Sequence, residues 1–134
     1  MAKLFKKKEI FKVKSVPVDP SKMGEPSTAE DYQKRGMAFY ARKQYSDAEA
    51  DLRKAVSLDG NNIDSYYSLG MVLKALNNKE DAIEAFQQVL NLIGATPGVG
   101  STKNDMLKRL ALGHINEISQ GDWNLEKEIW KHIA

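Results

Sequence analysis

A pattern of 34 residues occurs twice in this chain of 134, without a gap. Setting Gly36 on Gly70 places Tyr32 on Tyr66, Met37 on Met71, Phe39 on Leu73 and Ala48 on Ala82. It also places Leu52 on Phe86, Ala55 on Val89, Leu58 on Leu92 and Gly60 on Gly94. Within one copy, Tyr32, Gly36 and Phe39 stand at i, i+4 and i+7. After a break, Ala48, Leu52, Ala55 and Val56 continue at helical spacing, as do Ala82, Phe86, Val89 and Leu90. Each copy is expected to be two helices. One helix pair cannot bury its apolar face alone, so copies must stack, and about three are needed for stability.

The breaks carry helix-start chemistry. Ser27 with Glu30, and Ser46 with Glu49, have capping-box spacing, and Asn78 with Asp81 is a weaker version. Glycine inside a helix costs roughly 1 kcal/mol relative to alanine. Its recurrence at Gly36 and Gly70 implies close helix approach, Gly36 to Ala48 and Gly70 to Ala82. The second copy reads Tyr66-x2-Leu69-Gly70-x2-Leu73 and then Ala82-x3-Phe86. The first reads Tyr32-x2-Arg35-Gly36-x2-Phe39 and then Ala48-x3-Leu52. Over residues 29–94 this resembles the tetratricopeptide repeat family, whose unit follows W-x2-L-G-x2-Y, then A-x3-F, then P. Gly60 and Gly94 stand where that family has proline, which implies looser turns between repeats.

Beyond Gly94 the chain reads ATPGVGST and then a further amphipathic stretch. Leu107, Leu110, Ala111, His114, Ile115 and Ile118 keep helical spacing, and Trp123, Ile129, Trp130 and Ile133 mark another helix past Gly121-Asp122. The expected fold is therefore all-α: a tetratricopeptide-like solenoid of three antiparallel hairpins, at about 29–62, 63–94 and 102–134. The third is diverged in register, as a water-facing terminal unit can be. Residues 1–27 form a separate basic, proline-containing arm, expected to be flexible. ATPGVGST is a poor phosphate loop against G-x-x-x-x-G-K-[ST]. Ala95 replaces the first glycine and Ser101 the lysine, so no nucleotide is expected.

Charge and chemistry narrow the function. Residues 1–28 hold seven lysines against Glu9, Asp19 and Glu25, a net of +4, while the rest has 13 basic and 15 acidic residues, a net of −2. The body is thus a poor match for nucleic acid, which needs a clustered positive face. With no cysteine there is no disulfide or thiolate metal site. His114 and His132 lack metal spacing, and His114 falls in an apolar series, where an interface histidine is expected. Neither a catalytic set nor a cofactor is expected. No run of about 18 apolar residues is present, and the cytoplasm is the expected location.

What remains is a non-catalytic protein–protein interaction module, an adaptor or scaffold. The resemblance implies that the first helix of each pair lines a concave groove for a partner's peptide or helix. Residues one step round from the packing set are Gln33, Met37 and Tyr40 in the first copy and Tyr67, Met71 and Lys74 in the second. Lys108 is a candidate from the third unit. Methionine and tyrosine there make an adaptable surface with hydroxyl handles. A family subset grips chaperone C-terminal carboxylates with a lysine and asparagines. At the matching places this chain has Gln33, Met37 and Ser68, so that clamp is absent.

The alternative reading is a peripheral assembly factor held to anionic membrane or RNA by Lys3, Lys6, Lys7 and Lys8. The arm is also a candidate occupant of the chain's own groove. A homodimer through an exposed end face is a further expectation, with Trp123 and Trp130 in the last segment.

Overall fold

The computed structural model describes residues 18–95 and 102–121. Five helices follow in order: α1 (Ala29–Ala41), α2 (Tyr45–Leu58), α3 (Ile63–Ala75), α4 (Lys79–Ala95) and α5 (Thr102–Gln120). A single 3-10 turn, Pro20–Lys22, precedes them. The all-α solenoid expectation holds, and no strand is found among the described residues. Two complete hairpins, α1–α2 and α3–α4, are followed by α5. The segments 1–17 and 122–134, which carry the basic arm, Trp123 and Trp130, lie outside the described residues, as do residues 96–101 of the ATPGVGST loop.

The two hairpins close through the same turn. Lys43 at φ 62° and Asn77 at φ 61° occupy the left-handed region 34 residues apart. In the first turn Lys43 donates to the Tyr40 carbonyl at 2.9 Å and Gln44 to the Phe39 carbonyl at 2.9 Å. In the second, Asn77 donates to Lys74 at 3.0 Å and Asn78 to Leu73 at 2.9 Å. This pair of bonds is the Schellman closure, which satisfies the carbonyls a helix end leaves free. Only three residues separate the two helices of each hairpin, so α1 and α2, and α3 and α4, run antiparallel.

Inside each hairpin the glycine makes room for a large side chain. A Cβ on Gly36 would stand 2.8 Å from Leu52 Cγ, and one on Gly70 would stand 2.7 Å from Phe86 Cε1. The close approach of Gly36 to Ala48 is present, and the side chain that fills the space beside each glycine stands one turn further on. Leu52 and Phe86, sixteen residues after each glycine, fill the space, although the Ala48 carbonyl lies 3.4 Å from the same point. Leu52, Phe86, Val72, Leu73 and Val89 are all essentially inaccessible and form one core with Ala48, Ala82 and Ala111. Each such side chain contributes roughly 1.5–3 kcal/mol on leaving water.

Three local readings are corrected. The first capping box sits one residue later than expected: Thr28 Oγ1 accepts from the Asp31 amide at 3.1 Å, and Asp31 Oδ2 accepts from the Thr28 amide at 3.3 Å. Ser27 still donates to the same carboxylate. Ser46 does not cap α2, because the helix begins at Tyr45 and the Schellman closure has already fixed the chain at Gln44, which makes no side-chain cap. Glu49 pairs with Arg53 at 2.7 Å instead. Gly94 lies within α4, which runs on to Ala95, so it is not a turn between repeats. The weaker Asn78–Asp81 cap is present: the Asp81 amide donates to Asn78 Oδ1 at 3.5 Å, and Asn78 Nδ2 donates to the Asp81 carboxylate at 3.0 Å.

Candidate partner-binding surface

The six groove candidates form three rows, each pair 34 residues apart: Gln33 with Tyr67, Met37 with Met71, Tyr40 with Lys74. All six are half-buried. They sit on α1 and α3, the first helices of the two hairpins, beside the residues that face inward. Tyr40, Tyr67 and Met71 pack against the edge of the core. Tyr40 meets Tyr45 with ring centroids 5.6 Å apart. Burial raises the Tyr67 phenol pKa, and the neighbouring Tyr40 adds to the effect, so the rows of the two repeats adjoin.

In the second repeat, Tyr67 and Lys74 are engaged by α5. His114 is 7% exposed and its ring stacks on Phe86 at 4.8 Å with 14° between planes. One ring nitrogen lies 3.1 Å from the Tyr67 hydroxyl and the other 3.0 Å from Lys74 Nζ. A charged ammonium can only donate, so Nδ1 must accept from Lys74, leaving the proton on Nε2 to donate to the Tyr67 oxygen. The imidazole is therefore neutral. Desolvation, with Lys74 adding to it, lowers its pKa to about 4, and Glu117 opposes them. Lys74 also pairs with Glu117 at 3.0 Å.

Near the other end of α3, Asp64 takes Lys103 at 2.9 Å. With these ties near both ends, α3 and α5 lie side by side and parallel, as first helices of consecutive stacked units do. Lys108, the third-unit candidate, is exposed on α5.

The place of α5 also explains why its register was hard to read. Leu107 and Ala111 are buried and Leu110 half-buried, and His114 follows three residues after Ala111. That spacing repeats Tyr66, Leu69, Gly70 and Leu73, displaced by 41 residues instead of 34. The seven extra residues lie between Leu92, the counterpart of Leu58, and Leu107. His114 thus takes the structural place of Phe39 and Leu73, which is why an apolar series surrounds it.

A family model described as "TPR repeat" matches residues 36–77, and one described as "Tetratricopeptide repeat" matches residues 63–95. Over 69 residues the chain is 33% identical to the Saccharomyces cerevisiae small glutamine-rich tetratricopeptide repeat-containing protein 2. That match covers 52% of this chain and 20% of the relative, so the chain spans about a fifth of that protein's length. Among the described residues no helix is long and apolar enough to cross a membrane.

Proposed function

We propose, from the premise that this chain is a tetratricopeptide repeat protein over residues 36–95, that it is a non-catalytic interaction module. It takes a peptide or helix of a partner protein along Gln33, Met37, Tyr40, Tyr67, Met71 and Lys74. The observation that carries this reading is the alignment of these six half-buried side chains in rows across α1 and α3. Core residues are sealed, and ordinary surface residues are exposed; these keep apolar flanks partly in reach of solvent. A partner's apolar side chain would gain by covering Met37 and Met71, and the Tyr40 hydroxyl gives a polar end to the same strip.

The test must leave the α5 contacts intact, so it spares Tyr67 and Lys74. Met37→Glu with Met71→Glu places two charges in the strip without touching a cap or a sealed residue. Pull-downs with wild type and this variant, matched for helical circular dichroism, should differ by loss of the proteins that bind the strip. Equal recoveries would remove the groove reading.

A further inference from the structure

A second concave feature shares no residue with that strip. A cleft of about 390 Å³ opens between α2 and α4, the second helices of the two hairpins, over the flank of α3. Leu69, Leu73 and Ala85 are buried at its bottom, Val56 and Tyr66 are half-buried on its walls, and its rim carries Arg53, Asp81 and Glu84. Among the described lining residues Arg53 is the single cation, and it already serves Glu49 at 2.7 Å and Asp81 at 3.3 Å. The rim therefore has an excess of negative charge, with the half-buried Val56 and Tyr66 as its apolar contacts. A ligand that fits carries lysines interleaved with apolar side chains.

The geometry points to the chain's own residues 3–14 as the occupant, an inference that does not rest on the groove reading. Lys3, Lys6, Lys7, Lys8, Lys12 and Lys14 are interleaved there with Leu4, Phe5, Ile10, Phe11 and Val13. The described chain begins at the right end of the molecule. Pro20 is buried, and residues 23–26 line a small hollow with Asp31, Lys34 and Arg35 on α1. Asp19, whose carboxylate is held low chiefly by the Ser21 hydroxyl and amide, also feels Arg42 just past the C-terminus of α1. So residues 18–27 run back along α1 and bring the chain to the end where α1 finishes and α2 starts.

Because the helices alternate in direction, α4 starts at that end too, and Asp81 and Glu84 lie in its first two turns. The residues from Lys3 to Pro17 reach roughly 50 Å when extended, ample to cross α2. The strip on α1 and α3 is the poorer host for this segment, since Lys74 would meet its lysines.

The chain has no cysteine, so Ser15→Cys gives a single attachment point for a nitroxide on the full-length protein. Amides of Val56, Ala85 and Gln88 should broaden at low salt, while those of Met37 and Met71 should not. Glu84→Lys with Gln88→Lys touches no cap or sealed residue and should abolish the broadening. Lys6→Glu, Lys7→Glu and Lys8→Glu should do the same from the arm, where the fold is not at risk. Combining the two reversals should restore it. Broadening centred on Met37 and Met71, or absent from the cleft, would overturn the inference. So would broadening indifferent to charge reversal, or seen only when label and isotope are on different molecules.

Discussion

In the first repeat Arg35 and Asp51 occupy the places that Leu69 and Ala85 hold in the second. Arg35 donates to Asp51 twice, Nε to Oδ2 at 2.7 Å and Nη2 to Oδ1 at 2.8 Å, and Asp51 is 5% exposed. Its guanidinium also lies 5.9 Å from the Tyr32 ring and 5.8 Å from the Phe39 ring. Leu69 and Ala85, by contrast, are buried apolar contacts. The second repeat has a neighbour on each side: α2 before it and α5 after it. Among the described residues, the first has residues 18–27 against its outer flank. In the first repeat a forked, largely buried ion pair closes the seam that leucine and alanine close in the second.

The deepest asymmetry lies at Leu52 and Phe86. Both fill the space beside a glycine, but Phe86 also meets Tyr67 edge-on at 5.7 Å and stacks on His114. Phe86→Ala should cost about 3–5 kcal/mol in urea melts and loosen α5 as well. Leu52→Ala should also cost a few kcal/mol but leave hydrogen-exchange protection of α5 unchanged. Equal loss of α5 protection in both variants would erase the distinction between a terminal and a central repeat.

Next in size comes the dependence of the α5 seam on pH. His114 has its folded pKa depressed to about 4, below its ordinary 6.5. Its contribution is therefore complete above about pH 6.5 and drains away as pH falls towards 4, where folded and unfolded chains both take the proton. The span corresponds to up to about 3 kcal/mol. His114→Leu, which copies Leu73, should flatten this part of the curve when melts at pH 7.5 and 4.5 are compared. An unchanged slope would show that burial and the adjacent Lys74 do not hold the ring neutral.

The terminal seam itself can be rewritten. Arg35→Ala leaves a buried carboxylate without its fork and should cost about 2–3 kcal/mol, less than a fully enclosed pair because the guanidinium is partly exposed. Arg35→Leu with Asp51→Ala installs the second repeat's chemistry in the first and should recover most of that loss. Thermal melts of the cycle decide it; a double variant worse than the single would mean the ion pair does more than seal an end. The smallest effect belongs to the turns. Lys43 pays a steric penalty in the left-handed region that asparagine at 77 tolerates better, so Lys43→Gly should raise stability by up to about 1 kcal/mol. Asn77→Gly should change it less.

The repeat, the two hairpins and the rows Gln33/Tyr67, Met37/Met71 and Tyr40/Lys74 were legible in the sequence, because helical spacing and a fixed period are properties of the chain alone. The interface role of His114 was legible too, since a polar residue inside an apolar series needs a partner there. The starts of α1 and α2 were read less well. Neighbouring serine, threonine and carboxylates offer several overlapping boxes, and at Gln44 the preceding turn decided the matter without any side chain.

Only tertiary structure could decide what stands against what. The glycines were visible as anomalies, but that Leu52 and Phe86 fill their space depends on how one helix crosses another. Likewise Arg35 and Asp51 are sixteen residues apart, and nothing local joins them. The chain by itself determined which faces are apolar and how often they recur. The packing of one hairpin on the next determined which polar side chains could leave water, since a buried charge or imidazole is tolerable only where a partner from another helix meets it.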